Sequence, residues 1–120
     1  MICAHAPDVE DMAQKIVRTQ KDAVQIELKK VKFVRTSGSR SRSYARIFSV
    51  PKQLRTALNT GVAYVIEVNA EYFDRLDEKE KRKVVLHELC HIAKGTNGSL
   101  RGHRSRMFRT ALKAGLNGLQ

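Results

Sequence analysis

The stretch Asp77-Glu78-Lys79-Glu80-Lys81-Arg82-Lys83-Val84-Val85-Leu86-His87-Glu88-Leu89-Cys90-His91-Ile92-Ala93-Lys94-Gly95 organises the reading of the whole chain. Asp77 followed by Glu80 has the form of a capping box, which opens a helix. Val84, Val85, Leu86, Leu89 and Ile92 give that helix an apolar side, and Gly95 is placed to end it in a left-handed cap. A helix advances about 100° per residue, so side chains four apart lie within about 40° of each other. His87 and His91 therefore project side by side, and two imidazoles so placed can hold one metal ion.

Zinc suits nitrogen ligands that leave a coordination position open. Glu88 directly follows the first histidine. From there its carboxylate can take a proton from a zinc-bound water and later deliver it to a leaving amine, the role of the glutamate in His-Glu-x-x-His hydrolases. A catalytic zinc wants a third protein ligand. No Asp or Glu follows Glu88, which excludes a downstream carboxylate, and a histidine six residues beyond His91 would fall on Asn97. His103 is the one histidine downstream, and Arg101-Gly102-His103 after a glycine-rich loop lets the chain swing back; His5 is a distant alternative. Cys90 points away from the histidine face and reads as a small buried hydrophobe.

Upstream, Pro7-Asp8 opens a helical pattern with Asp8 as N-cap and Val9, Met12, Ala13, Ile16 and Val17 on one side. Strands are predicted over Val31 to Thr36, Tyr44 to Val50 (stopped by Pro51) and Ala63 to Val68, with Ser37 to Ser43 as a loop. Lys52 to Asn59 reads as a short helix with Leu54, Ala57 and Leu58 inward. A last helix from about Arg104 to Ala114 would bury Met107, Phe108, Ala111 and Leu112 and stop at Gly115. Residues before Pro7, including Cys3, read as a frayed terminus.

A chain of 120 residues fits one domain, 1–120. Two cysteines make no disulfide framework, no apolar run is long enough to span a bilayer, and the N-terminus lacks the pattern of a signal peptide. The expected location is cytoplasmic. Net charge is +11, and it is segregated. Lys29, Lys30, Lys32, Arg35, Arg40, Arg42, Arg46, Lys52 and Arg55 lie in a stretch without an acid, and so do Lys94, Arg101, Arg104, Arg106, Arg109 and Lys113 after Glu88. Such segregation suits a surface that meets a polyanion, or simply a solvated basic protein. DNA contact through Arg35, Arg40, Arg42 and Arg46 is the expectation. With no Trp and 6% aromatics, stacking on single-stranded bases has little support. Tyr64, Arg101 and Arg104 are candidates for stabilising an oxyanion.

His87-Glu88-Leu89-Cys90-His91, a loop, His103 and an aromatic at Phe108 resemble the SprT-like metallopeptidases, which include Spartan-type proteases acting on DNA-bound proteins. The longer pattern is similar to the metallopeptidases of archaea and phages. It runs from Arg35-Thr36-Ser37-Gly38-Ser39 through Tyr44-Ala45-Arg46-Ile47 and Tyr64-Val65-Ile66-Glu67-Val68 to Leu100-Arg101-Gly102-His103. The resemblance implies His87, His91 and His103 as ligands of Zn2+ and Glu88 as general base, acting on a protein or peptide substrate. Phe108 departs from the SprT pattern, falling five residues after His103 where three or four is usual.

The fold expected is therefore α+β, a small zincin-type (minimal gluzincin-like) domain. It has an N-terminal helix, a three-stranded sheet, the His-Glu-x-x-His helix and a C-terminal helix. The function expected is a zinc endopeptidase; the alternative is a basic nucleic-acid-binding module with a non-catalytic metal site. A structural zinc would need four protein ligands, and the sequence offers no convincing fourth.

Overall fold

Strand β2, Val31–Ser37, carries the alternation expected of a half-buried strand, with Val31 and Phe33 buried and Lys32 exposed. The computed structural model, which describes residues 1–119, shows what flanks it. On one side runs β1, Ile2–His5, antiparallel, with Ile2 opposite Ser37 and His5 opposite Val34. On the other runs β4, Tyr64–Asn69, parallel, with Phe33 opposite Ile66. Strand β3, Ala45–Ser49, pairs antiparallel with the far side of β4, Ile47 opposite Ile66. The order is β1-β2-β4-β3.

The sheet thus has four strands and mixed direction, where three strands were expected. The extra strand is β1, read from sequence as a frayed end. All four of its residues are exposed, so burial leaves no alternating signature; it joins the sheet through its ladder with β2. Strands β2 and β3 are consecutive but not neighbours, because β4 inserts between them. The loop joining them crosses the end of β4, where Asn69 donates from Nδ2 to the carbonyl of Ser41 and from its backbone N–H to that of Tyr44.

Helix α1, Pro7–Thr19, buries Val9, Ala13 and Ile16, the i, i+4, i+7 spacing of one face. Its N-cap is Ala6 and not Asp8. Pro7 takes the first helical position, where a missing N–H costs nothing. Asp8 lies in the first turn and uses its carboxylate to accept two hydrogen bonds from Arg35, at 2.9 and 2.7 Å. Helix α2, Lys52–Ala57, follows β3, but Leu54, Ala57 and Leu58 are exposed and not inward. Its one turn and a half lies outside the core, so apolar spacing says nothing of burial there.

Helix α3, Ala70–Phe73, links β4 to α4, Glu78–Cys90. Asp77 caps α4 by accepting from the N–H of Glu80 at 2.8 Å. Glu80 does not close the box; its carboxylate meets Lys83 at 3.3 Å. Helix α4 touches α1, α5 and β3, and its Val85, Leu86 and Leu89 join Phe33, Ile66 and Tyr64 in one core.

Helix α5, Arg106–Gly118, runs past the expected stop at Gly115. That glycine sits mid-helix because a Cβ there would come within 2.7 Å of Cδ1 of the buried Leu86. It marks a close helix–helix approach rather than an end. Met107, expected inward, is 56% exposed, while Phe108 and Ala111 are buried.

Candidate metal centre

His87 and Glu88 stand in the last turn of α4, and His91 is its C-cap, still in right-handed helical conformation. The helix ends at Cys90, earlier than its apolar pattern suggests, because the chain folds back. Ile92 forms an antiparallel bridge with Leu100, and the N–H of Ala93 donates to the carbonyl of Ser99 at 3.1 Å. Gly95 takes the left-handed conformation expected of it (φ +102°), and Thr96 (φ +51°) and Gly98 (φ +103°) do likewise, which tightens the turn. Eight residues after the bridge opens at Ile92, Leu100 delivers the chain back to His91.

The return is fixed by His91 itself. The N–H of Arg101 donates to the carbonyl of His91 at 2.6 Å, and the carbonyl of Arg101 accepts from Nδ1 of His91 at 2.7 Å. That second bond places the proton on Nδ1 and leaves Nε2 as the lone-pair donor, the arrangement that orients a metal-binding histidine. Two residues on, His103 faces the helix, its Nε2 3.0 Å from Nε2 of His87. His87, His91 and His103 each offer a ring nitrogen, and the three lie within 4.8 Å of one another.

All three rings rest on Phe108. It stacks on His91 (centroids 4.4 Å apart, 23° between planes) and meets His87 and His103 edge-on at 5.3 and 5.2 Å. Ser105 caps α5 by accepting from the N–H of Phe108 at 3.3 Å, which sets this ring under the cluster. The spacing of five residues from His103 is therefore accommodated by the turn at 103–105.

Burial pushes the pKa of His87 and of His91 below the ordinary value, reinforced by the neighbouring imidazoles. The neutral ring is the metal-binding form. Three imidazoles whose ring nitrogens lie within 4.8 Å of one another, with no carboxylate among them, fit a divalent ion that prefers nitrogen ligands, and leave room for a further ligand. Glu88 is 8% exposed, and burial raises its pKa to about 7. The Cys90 thiol, buried in the core, is pushed up to about 11 and stays protonated.

The cluster opens into a cleft of about 760 Å³, whose lining includes Ala45 and Ile47 of β3, Glu88, Arg101 and His103. β3 is an edge strand, so one side of it is unpaired. A second, more enclosed cavity of about 300 Å³ lies between the 22–26 segment and α5; it shares Arg101 but none of the histidines.

Two contributions to the site carry no clear sequence signal. The first is Tyr64, whose hydroxyl donates to the carbonyl of Ser99 at 2.7 Å and accepts from the N–H of Gly98 at 2.9 Å. Its side chain is fully buried, so it clamps the returning loop and is not free to meet an oxyanion. The second is the support of that loop by Ser49, which donates to the carbonyl of Gly98, and by Arg55, which donates to that of Asn97. Of the basic residues expected to meet DNA, Arg35 is held by Asp8 and Asp74, and Arg46 by Glu67 across the β3–β4 pair. Arg40 and Arg42 lie in the β2–β3 loop without an ion pair among the described residues.

An α+β domain with three convergent histidines and a buried glutamate beside them defines the class, a metal-binding domain of hydrolase type. The chain belongs to the family described as "Putative phage metallopeptidase", which matches residues 1–118. No curated protein and no solved structure matches the chain. No helix among the described residues is long and apolar enough to cross a membrane.

Proposed function

We propose that the protein is a zinc-dependent endopeptidase of zincin type, with His87, His91 and His103 holding the metal and Glu88 as general base. The observation that carries this reading is the convergence of three ring nitrogens beside a buried carboxylate that forms no ion pair among the described residues. When bound, a zinc ion supplies Lewis acidity, making a water acidic and polarising a carbonyl. The chain's own groups do the rest. Glu88 takes the proton from the attacking water and passes it to the leaving amine. The open edge of β3 accepts an extended substrate backbone by strand addition. Arg101 lines the cleft and is the candidate donor to developing negative charge.

Three donors favour this reading over a structural zinc, which takes four protein ligands. The experiment is cleavage of an unfolded protein by zinc-loaded wild type and Glu88→Gln, with metal content measured in both. We expect equal zinc and a loss of cleavage of at least about 100-fold in the variant. Equal cleavage would overturn the role of Glu88.

A further inference from the structure

Helix α5 separates its residues sharply. At about 100° per residue, Phe108, Ala111 and Gly115 share one side, and these are its buried residues. On the opposite side Arg106, Arg109, Thr110, Lys113 and Asn117 fall within an arc of about 100°, and all five are exposed. The cations stand about 4.5 and 6 Å apart along the axis, a positive rod about 10 Å long. Arg104 follows His103 in the chain and is exposed, and Arg101 lines the cleft. No acid follows Glu88 in the chain, and none of Arg101, Arg104, Arg106, Arg109 or Lys113 forms an ion pair among the described residues.

We infer that this face of α5 is a nucleic-acid backbone contact, which holds a polyanion alongside the metal centre. Every side chain on the arc is a hydrogen-bond donor, and Thr110 and Asn117 add neutral donors between the charges. That is the chemistry that grips phosphodiester oxygens. The arc holds no apolar side chain to insert into a lipid surface, and no aromatic to stack on a base. Recognition is therefore of the backbone and independent of sequence. The inference moves the expected contact away from Arg35 and Arg46, whose charges are spent on Asp8, Asp74 and Glu67. It rests on the peptidase reading only for the consequence that the protein substrates would be those close to nucleic acid.

The test is binding of a labelled random-sequence DNA duplex by the full chain, with and without zinc, over rising salt. Two charge-matched variants are compared, Arg106→Gln/Arg109→Gln/Lys113→Gln and Arg40→Gln/Arg42→Gln/Lys52→Gln, each checked for unchanged thermal unfolding. Each lost phosphate contact lowers the slope of log K against log salt by about 0.9. The α5 variant should lose about 2.7 of slope and at least tenfold in affinity. The loop variant should lose less than half as much. Equal losses in the two variants, no binding by wild type at low salt, or competition by polyglutamate as strong as by DNA would each overturn the inference. All three outcomes leave the cleavage assay with Glu88→Gln unaffected, so the two proposals fail separately.

Discussion

Two regions bring the histidines together, and they do so by different physics. His87 and His91 are placed by one turn of α4, whose geometry follows from the helical repeat. His103 is placed by a loop that has no repeat. Its position depends on the Ile92–Leu100 bridge, the two bonds between His91 and Arg101, and the Tyr64 hydroxyl from another strand. The helix half of the site is local and the loop half is assembled from contacts far apart in sequence. A metal held by the proposed trio would be held only as well as its least local histidine allows.

The strongest way to break the comparison is to remove the loop histidine. His103→Ala should weaken zinc binding by more than the roughly 10–100-fold typical of losing a residue that merely supports a ligand. Chelator competition checks this; a smaller loss would mean that the helix pair alone holds the metal. Glu88 tests what the helix half costs. Its folded pKa is about 7 against an ordinary 4.5, raised by burial. Below pH 4.5 both folded and unfolded chains are protonated and there is no penalty. As pH rises the unfolded chain ionises first, so stability falls between about 4.5 and 7 and then levels off. Glu88→Gln should therefore stabilise the metal-free protein by up to about 3 kcal/mol at pH 8 and by almost nothing at pH 4. Urea unfolding at the two pH values reads it directly, and a pH-independent difference would contradict the burial argument. The smallest effects sharpen the contrast most. Tyr64→Phe should lower zinc affinity about tenfold through the loop. Asp77→Ala, which uncaps α4, should cost about 1 kcal/mol of stability with zinc affinity unchanged. Loss of metal affinity on uncapping the helix would erase the distinction between the halves.

The same division explains what the sequence made legible. The α+β class, the central strands β2 and β4 and the helix that bears His87 and Glu88 and is capped by His91 follow from period and capping residues. His103 follows by elimination, since no acid follows Glu88. Strand β1 leaves no signal in the sequence because its residues are all exposed and carry no burial pattern. Gly115 misled because a glycine that stops a helix and one that admits a neighbour look alike in sequence; only the contact with Leu86 separates them. Tyr64 could be read as a strand aromatic, but its two hydrogen bonds to a loop more than thirty residues away could not. The ion pairs of Arg35 and Arg46 are likewise long-range, so a basic stretch in sequence overstated the free charge on that side.

The most direct measurement is X-ray absorption at the zinc edge of the fully loaded protein, with the bound metal counted. One zinc per chain, coordinated by three imidazoles and one oxygen, is the result this account predicts. A fourth protein ligand, or any sulfur in the shell, would contradict it.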